Sequence, residues 1–157
     1  MEELNLNKNI NMKIAKVRDV KSPVRNSVDD AGIDFFIPND IGWESYTLSK
    51  HQSINIESGI RANVPKGYAL IVYNKSGQAL KKRIAIGASV IDHSYQGIIH
   101  IHIYNSGDKE VTIFAGEKIV QMLLVPVSHE MIEEVSEEDL YDSISERGNG
   151  GFGSTGT

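Results

Sequence analysis

Apolar and polar residues alternate with a period of two through much of this chain. In "SYQGIIHIHIYNSGD", residues 94–108, Ile99, Ile101 and Ile103 fall on one face, with His100, His102 and Tyr104 on the other. Successive side chains of an extended chain point to opposite sides, so the pattern is that of a half-buried strand. "GYALIVY" and "SINIESGIRANVP" are rich in Ile, Val and Tyr, are bounded by Gly and Pro, and predict further strands. "EKIVQMLLVPV" is almost continuously apolar and suits a strand covered on both sides, a subunit interface being one way to cover it. "NSGDKE" is a turn. One helical turn is expected in "SGQALKKR", with Ser76 as its N-cap. The class is mainly β: a sandwich, a jelly roll or a barrel.

The pattern changes twice near the C-terminus. "SHEMIEEVSEEDLYDSISE", 128–146, is acidic and weakly apolar. Ser136 followed by Glu137, Glu138 and Asp139 predicts the start of a short helix, since carboxylates are favourable near a helix N-terminus. The segment reads as a connector. The last stretch, "RGNGGFGSTGT", 147–157, contains the letters GxGxxG at Gly151, Gly153 and Gly156, but is not expected to be the dinucleotide-binding turn, which follows a strand and opens a helix. It reads either as a frayed tail or as a segment whose backbone N–H groups and Arg147 wrap an anion while Phe152 lies on a flat ring.

Composition narrows the function classes. With 157 residues, 40% of them hydrophobic, the chain is most simply one domain with a real core. The absence of Cys removes disulfides and thiolate metal sites. No apolar run is long enough to span a membrane and the N-terminus has no secretory stretch, so the expected location is cytoplasmic. A net charge of −5 argues against a nucleic-acid coat, though not against one phosphorylated small molecule at a local basic cluster.

Several residues carry candidate chemistry. In "VIDHSYQG", Asp92 follows two β-branched residues and precedes Tyr95; it either orients and deprotonates a water or satisfies turn N–H groups. Lys75, Ser76 and Gly77 combine a cation, a hydroxyl and unobstructed backbone at a helix start, a credible phosphate cradle without the Walker A spacing. Lys81, Lys82 and Arg83 read as mostly solvated. Asp34, between apolar residues, either holds a metal-bound water or pairs with an Arg of a neighbouring segment; Asp29 and Asp30 read as loop residues. Gln121, inside an apolar strand, bonds either backbone or ligand. His100 and His102 could chelate a metal but lack a third ligand; the alternative is surface or interface histidines.

The order of five pieces is more specific than any one. "AGIDFF", "NKSGQALKK", "GASVIDHSYQG", "AGEKIVQM" and "RGNGGFGSTG" together resemble the five-motif series of the deoxyuridine triphosphatases, from about Ala31 to Gly156. The resemblance implies a β-clip or distorted jelly-roll domain over 1–127, a connector over 128–146, and a mobile substrate-closing arm over 147–157. It implies a homotrimer with active sites shared between subunits, and hydrolysis of dUTP to dUMP and pyrophosphate with Mg²⁺ on the triphosphate. Asp92 would then activate water for attack at the α-phosphorus, Tyr95 would pack under the deoxyribose, and the backbone of Ala88, Ser89 and Val90 would read uracil. Lys75, Ser76, Gly77 and Gln121 would hold phosphates, and Asp34 would reach Mg²⁺ through a water. Phe152 would stack on uracil, Arg147 would meet the γ-phosphate, and Gly153, Ser154 and Thr155 would supply donors. The chain departs from the family at Lys75, where Arg is usual, at Ser94, where an acidic residue is usual, and at Ser89, where Gly is common. Two other readings are a nucleotide-gated regulator on the same scaffold, meeting a protein partner through the connector or the His100/His102 strand, and a dCTP deaminase-like enzyme, whose acid/base pattern is not seen.

Overall fold

The computed structural model describes residues 10–146, 148 and 150. Eleven strands and one short helix lie between Lys13 and Pro126. In chain order they are β1 (Lys13–Lys16), β2 (Ile33–Phe36), β3 (Ser45–Leu48), β4 (Ser53–Glu57), β5 (Ile60–Asn63), β6 (Tyr68–Asn74), α1 (Ser76–Lys82), β7 (Ile84–Ile86), β8 (Val90–Asp92), β9 (His100–Asn105), β10 (Val111–Phe114) and β11 (Lys118–Pro126). They form four antiparallel sheets with orders β2-β11-β6-β8, β4-β9-β7, β1-β5 and β10-β3. All four feed one core: Phe35, Leu70 and Val120 from the first, Ile56, Ile84 and Ile101 from the second, Ile60 from the third, Leu48 and Ile113 from the fourth. This is the expected all-β, jelly-roll-like class.

The alternation read in β9 holds: Ile99, Ile101 and Ile103 are buried, while His100 and Tyr104 are exposed and His102 is half-buried. "SINIESGIRANVP" is two strands rather than one, because Gly59 takes a φ of +71° between them. In β11 the burial differs from expectation. Ile119, Val120 and Met122 are buried, but Gln121, Leu123, Leu124 and Val125 are only partly covered. Ile119 sits in a β-bulge, where Lys118 opposes Phe36 and Val120 opposes Phe35. The extra residue resets the alternation, so Lys118 and Gln121, three apart, both come to the Asp34 face.

Two local expectations need correction. The N-cap of α1 is Lys75, with an extended backbone and no side-chain cap bond, and Ser76 is the first helical residue. The helix expected after Ser136 is one turn: Asp139 N–H donates to the Ser136 backbone oxygen at 3.2 Å and Ser136 Oγ lies 2.7 Å from Asp139 Oδ2, but nothing continues it. The apolar residues of this segment, Leu140 and Ile144 among them, are exposed, and a segment without tertiary packing gains too little to extend a helix. Residues 128–146 are exposed throughout.

Candidate active site

The residues singled out in the sequence gather into two groups. The first surrounds a cavity of about 210 Å³ lined by Ala88 to Asp92, Tyr95 and His100. Its scaffold is β8, three residues long, paired to β6 with Asp92 opposite Ala69, Ile91 opposite Leu70 and Val90 opposite Ile71. Buried Ile91 anchors the strand, and the residues on either side of it, Val90 and Asp92, are exposed. After Asp92 the chain turns back: Tyr95 N–H donates to the Asp92 carbonyl at 3.1 Å. Tyr95 O–H donates to the Ile98 carbonyl at 2.8 Å and holds the ring across the turn. The carboxylate of Asp92 has no side-chain hydrogen bond or ion pair among the described residues, so it is not consumed by turn N–H groups.

The corner between β7 and β8 presents backbone. Val72 N–H donates to the Ser89 carbonyl at 2.8 Å and Ala88 N–H donates to His102 Nδ1 at 3.2 Å. Between these ties, the Ala88 carbonyl and the Ser89 N–H have no partner among the described residues. One acceptor beside one donor complements an edge that offers an N–H next to a carbonyl. His100, read in the sequence as a metal ligand or a surface or interface histidine, is part of this cavity wall; its Nδ1 lies 3.0 Å from Asn55 Nδ2. The signal for it was its place on the polar face of β9, beside the motif that carries Asp92. The two histidines thus have separate partners, and no group of three metal-ligating side chains occurs among the described residues.

The second group is a cation cluster on the same four-stranded sheet. Asp34, in β2, is 4% exposed and is held there by fully buried Phe35 next to it. Its Oδ1 accepts from Lys75 Nζ, and Lys118 Nζ lies 2.9 Å from its Oδ2. Burial alone raises its carboxyl pKa, but the hydrogen bonds and charges of the two lysines outweigh it, and the net direction is downward from the ordinary 3.8. The partner is therefore two lysines, not the Arg allowed for in the sequence. Gln121 sits opposite both Asp34 and Tyr73, and its Nε2 donates to the Asn74 carbonyl at 2.8 Å, so backbone is its partner here. Ser76 and Gly77, both exposed, open α1 beside Lys75. Lys82 departs from the solvated reading: it bonds the Thr112 carbonyl at 3.1 Å and pairs with Glu117. Gln78 also donates to Glu117, so α1 is tied to the turn before β11. Arg83 ends α1 with a φ of +55°.

The two groups are far apart within one chain. Asp92 lies opposite Ala69, while Lys75 follows the far end of β6; six positions at about 3.3 Å each separate them by roughly 20 Å.

A family model described as dUTPase matches residues 18–156. The chain belongs to the dUTPase family. It is 35% identical to the deoxyuridine 5'-triphosphate nucleotidohydrolase of Hydrogenobaculum sp., over 91% of this chain and 96% of that protein. It is 36% identical to the enzyme of the same name from Mus musculus, over 86% of this chain and 78% of the relative. Among solved structures it resembles the dUTPase of Staphylococcus bacteriophage 80alpha with dUPNHPP, at a TM-score of 0.80 and 26% identity, covering 94% of this chain and 99% of that one. The dUTPase match reaches the Gly-rich end, where Arg147, Phe152, Gly153, Ser154 and Thr155 lie outside the described residues.

Proposed function

We propose that this dUTPase hydrolyses dUTP to dUMP and pyrophosphate with Asp92 as the general base. One observation carries the assignment of roles: a carboxylate, an aromatic ring and backbone groups that have no partner among the described residues share one cavity. The free Ala88 carbonyl and Ser89 N–H match the imide edge of uracil. Tyr95 stacks under the deoxyribose, and Asp92 orients a water, takes its proton and directs it at the α-phosphorus, with pyrophosphate leaving.

Lys75, Ser76, Gly77 and Gln121 hold the phosphates. A separation of roughly 20 Å is much longer than the two P–O–P bridges joining α- to γ-phosphorus. The cradle that serves a given Asp92 therefore belongs to another copy of the chain, which supports the homotrimer with shared sites. The arm residues Arg147, Phe152, Gly153, Ser154 and Thr155 close over the γ-phosphate and the base. We place the protein in the cytoplasm; no helix among the described residues is long and apolar enough to cross a membrane.

Mg²⁺ fits as a passenger of the triphosphate. Asp34 is one carboxylate whose Oδ1 accepts from Lys75 and whose Oδ2 is ion-paired with Lys118 but accepts no hydrogen bond, leaving room for one metal-bound water, and no group of three metal-ligating side chains surrounds it among the described residues. Bound there, the ion would neutralise phosphate charge. Asp34 also holds Lys75 in place, and that part of its role needs no metal. No observation of fold or site favours the deaminase or the regulator reading.

The test is pyrophosphate release from dUTP, UTP, dTTP and dCTP by wild type and Asp92→Asn. Release from dUTP alone, abolished in the variant while dUTP still binds, supports the assignment. Undiminished turnover in Asp92→Asn overturns it.

A further inference from the structure

We propose that His102 is a positioning residue for the base slot, acting through the backbone of Ala88. The inference rests on reading Ala88 to Val90 as that slot. β7 leaves β9 after Ile86, and the ladder bond from Gly87 N–H to the His102 carbonyl, 2.8 Å, is the last regular one. At the next residue the strand pair has diverged. There the His102 side chain takes over, its Nδ1 accepting the Ala88 N–H at 3.2 Å. An accepting Nδ1 assigns the proton to Nε2.

Space confirms that the ring is seated against the corner. A Cβ on Gly87 would overlap the ring atoms Nδ1, Cε1 and Cγ of His102. Gly87 is needed because the imidazole lies against its Cα, and the pair is matched. His102 itself does not line the cavity; His100, two residues earlier, does. The far side of the corner is fixed independently by Val72 N–H on the Ser89 carbonyl. With both sides tied, the free Ala88 carbonyl and Ser89 N–H sit at a fixed spacing. Loss of the His102 tie frees one side only, which loosens recognition of the base and leaves Asp92, on paired β8, in place.

Hydrogen exchange and steady-state kinetics test this. In the wild-type protein the Ala88 amide exchanges more slowly than the Ser89 amide; equal rates overturn the proposal without any variant. His102→Leu should raise KM for dUTP by about fivefold, as expected for one lost hydrogen bond, with kcat changed less than about twofold. It should also narrow the preference for dUTP over dTTP. His102→Asn, whose Oδ1 can accept, should recover part of the KM. Equal falls in kcat and kcat/KM, or no kinetic change in a folded His102→Leu, overturn it. Ser89→Leu, which fills the cavity, separates the two readings. If Ser89→Leu leaves KM for dUTP unchanged, the base-slot reading fails. If Ser89→Leu raises KM and His102→Leu does not, only the role of His102 fails.

Discussion

Two aspartates on one sheet have opposite surroundings. Asp34 is 4% exposed and gripped by Lys75 and Lys118; Asp92 is exposed at the end of β8 with no side-chain partner among the described residues. A carboxylate flanked by two cations is a poor proton acceptor and a good anchor. A solitary carboxylate at a cavity lip is free to accept a proton from water. The difference follows from position. Asp34 stands opposite Gln121 of β11, within reach of Lys118 on that strand and of Lys75 just past β6, whereas Asp92 ends β8 with no cation paired to it among the described residues.

The sharpest test of that contrast is at Asp92. Asp92→Asn should lower kcat by about 10²- to 10⁴-fold and leave the unfolding midpoint in urea unchanged. The reverse is expected at Asp34. Asp34→Ala strands two lysines and should cost about 2 kcal/mol in urea unfolding, less than for a fully buried pair because both ammonium groups reach solvent. A third test uses pH. The folded pKa of Asp34 lies below its unfolded value, so its contribution to stability is complete above about 3.8 and is lost as pH falls through the folded pKa. Asp34→Asn should therefore flatten the acid limb of the stability profile. Removing Mg²⁺ with a chelator should stop turnover while leaving the melting temperature of the free protein unaltered, since no group of three metal-ligating side chains occurs among the described residues. The smallest effect is expected in the exposed connector, where Glu130→Gln should shift unfolding by less than about 0.5 kcal/mol.

Much of this was legible in the sequence because strand alternation is local. The β9 isoleucines declare their face without reference to any partner. The order of five motifs carried the family, and apart from His100 the cavity lining falls within one short stretch, Ala88 to Tyr95. What was not legible depends on pairing. Lys118 reaches Asp34 only because a bulge at Ile119 resets the phase of β11, and no composition rule places that bulge. Lys82 looked solvated because its partner Glu117 lies 35 residues away. His102 was read as a surface or metal-binding histidine because its partner is a backbone N–H in another strand's corner. The Ser136 turn failed to become a helix for lack of tertiary support, which capping residues alone do not supply.

The length of β6 has a genetic consequence. Its seven residues keep Asp92 and Lys75 apart in every copy, so on the proposed assignment each chain would carry half of two different sites. Two inactive chains, one Asp92→Asn and the other Lys75→Ala, each keep the half that the other lacks. Refolded together, they should recover turnover at the junctions where an intact Asp92 meets an intact Lys75. On that assignment one defective allele should rescue another, and a dominant-negative chain should silence its neighbours' sites as well as its own.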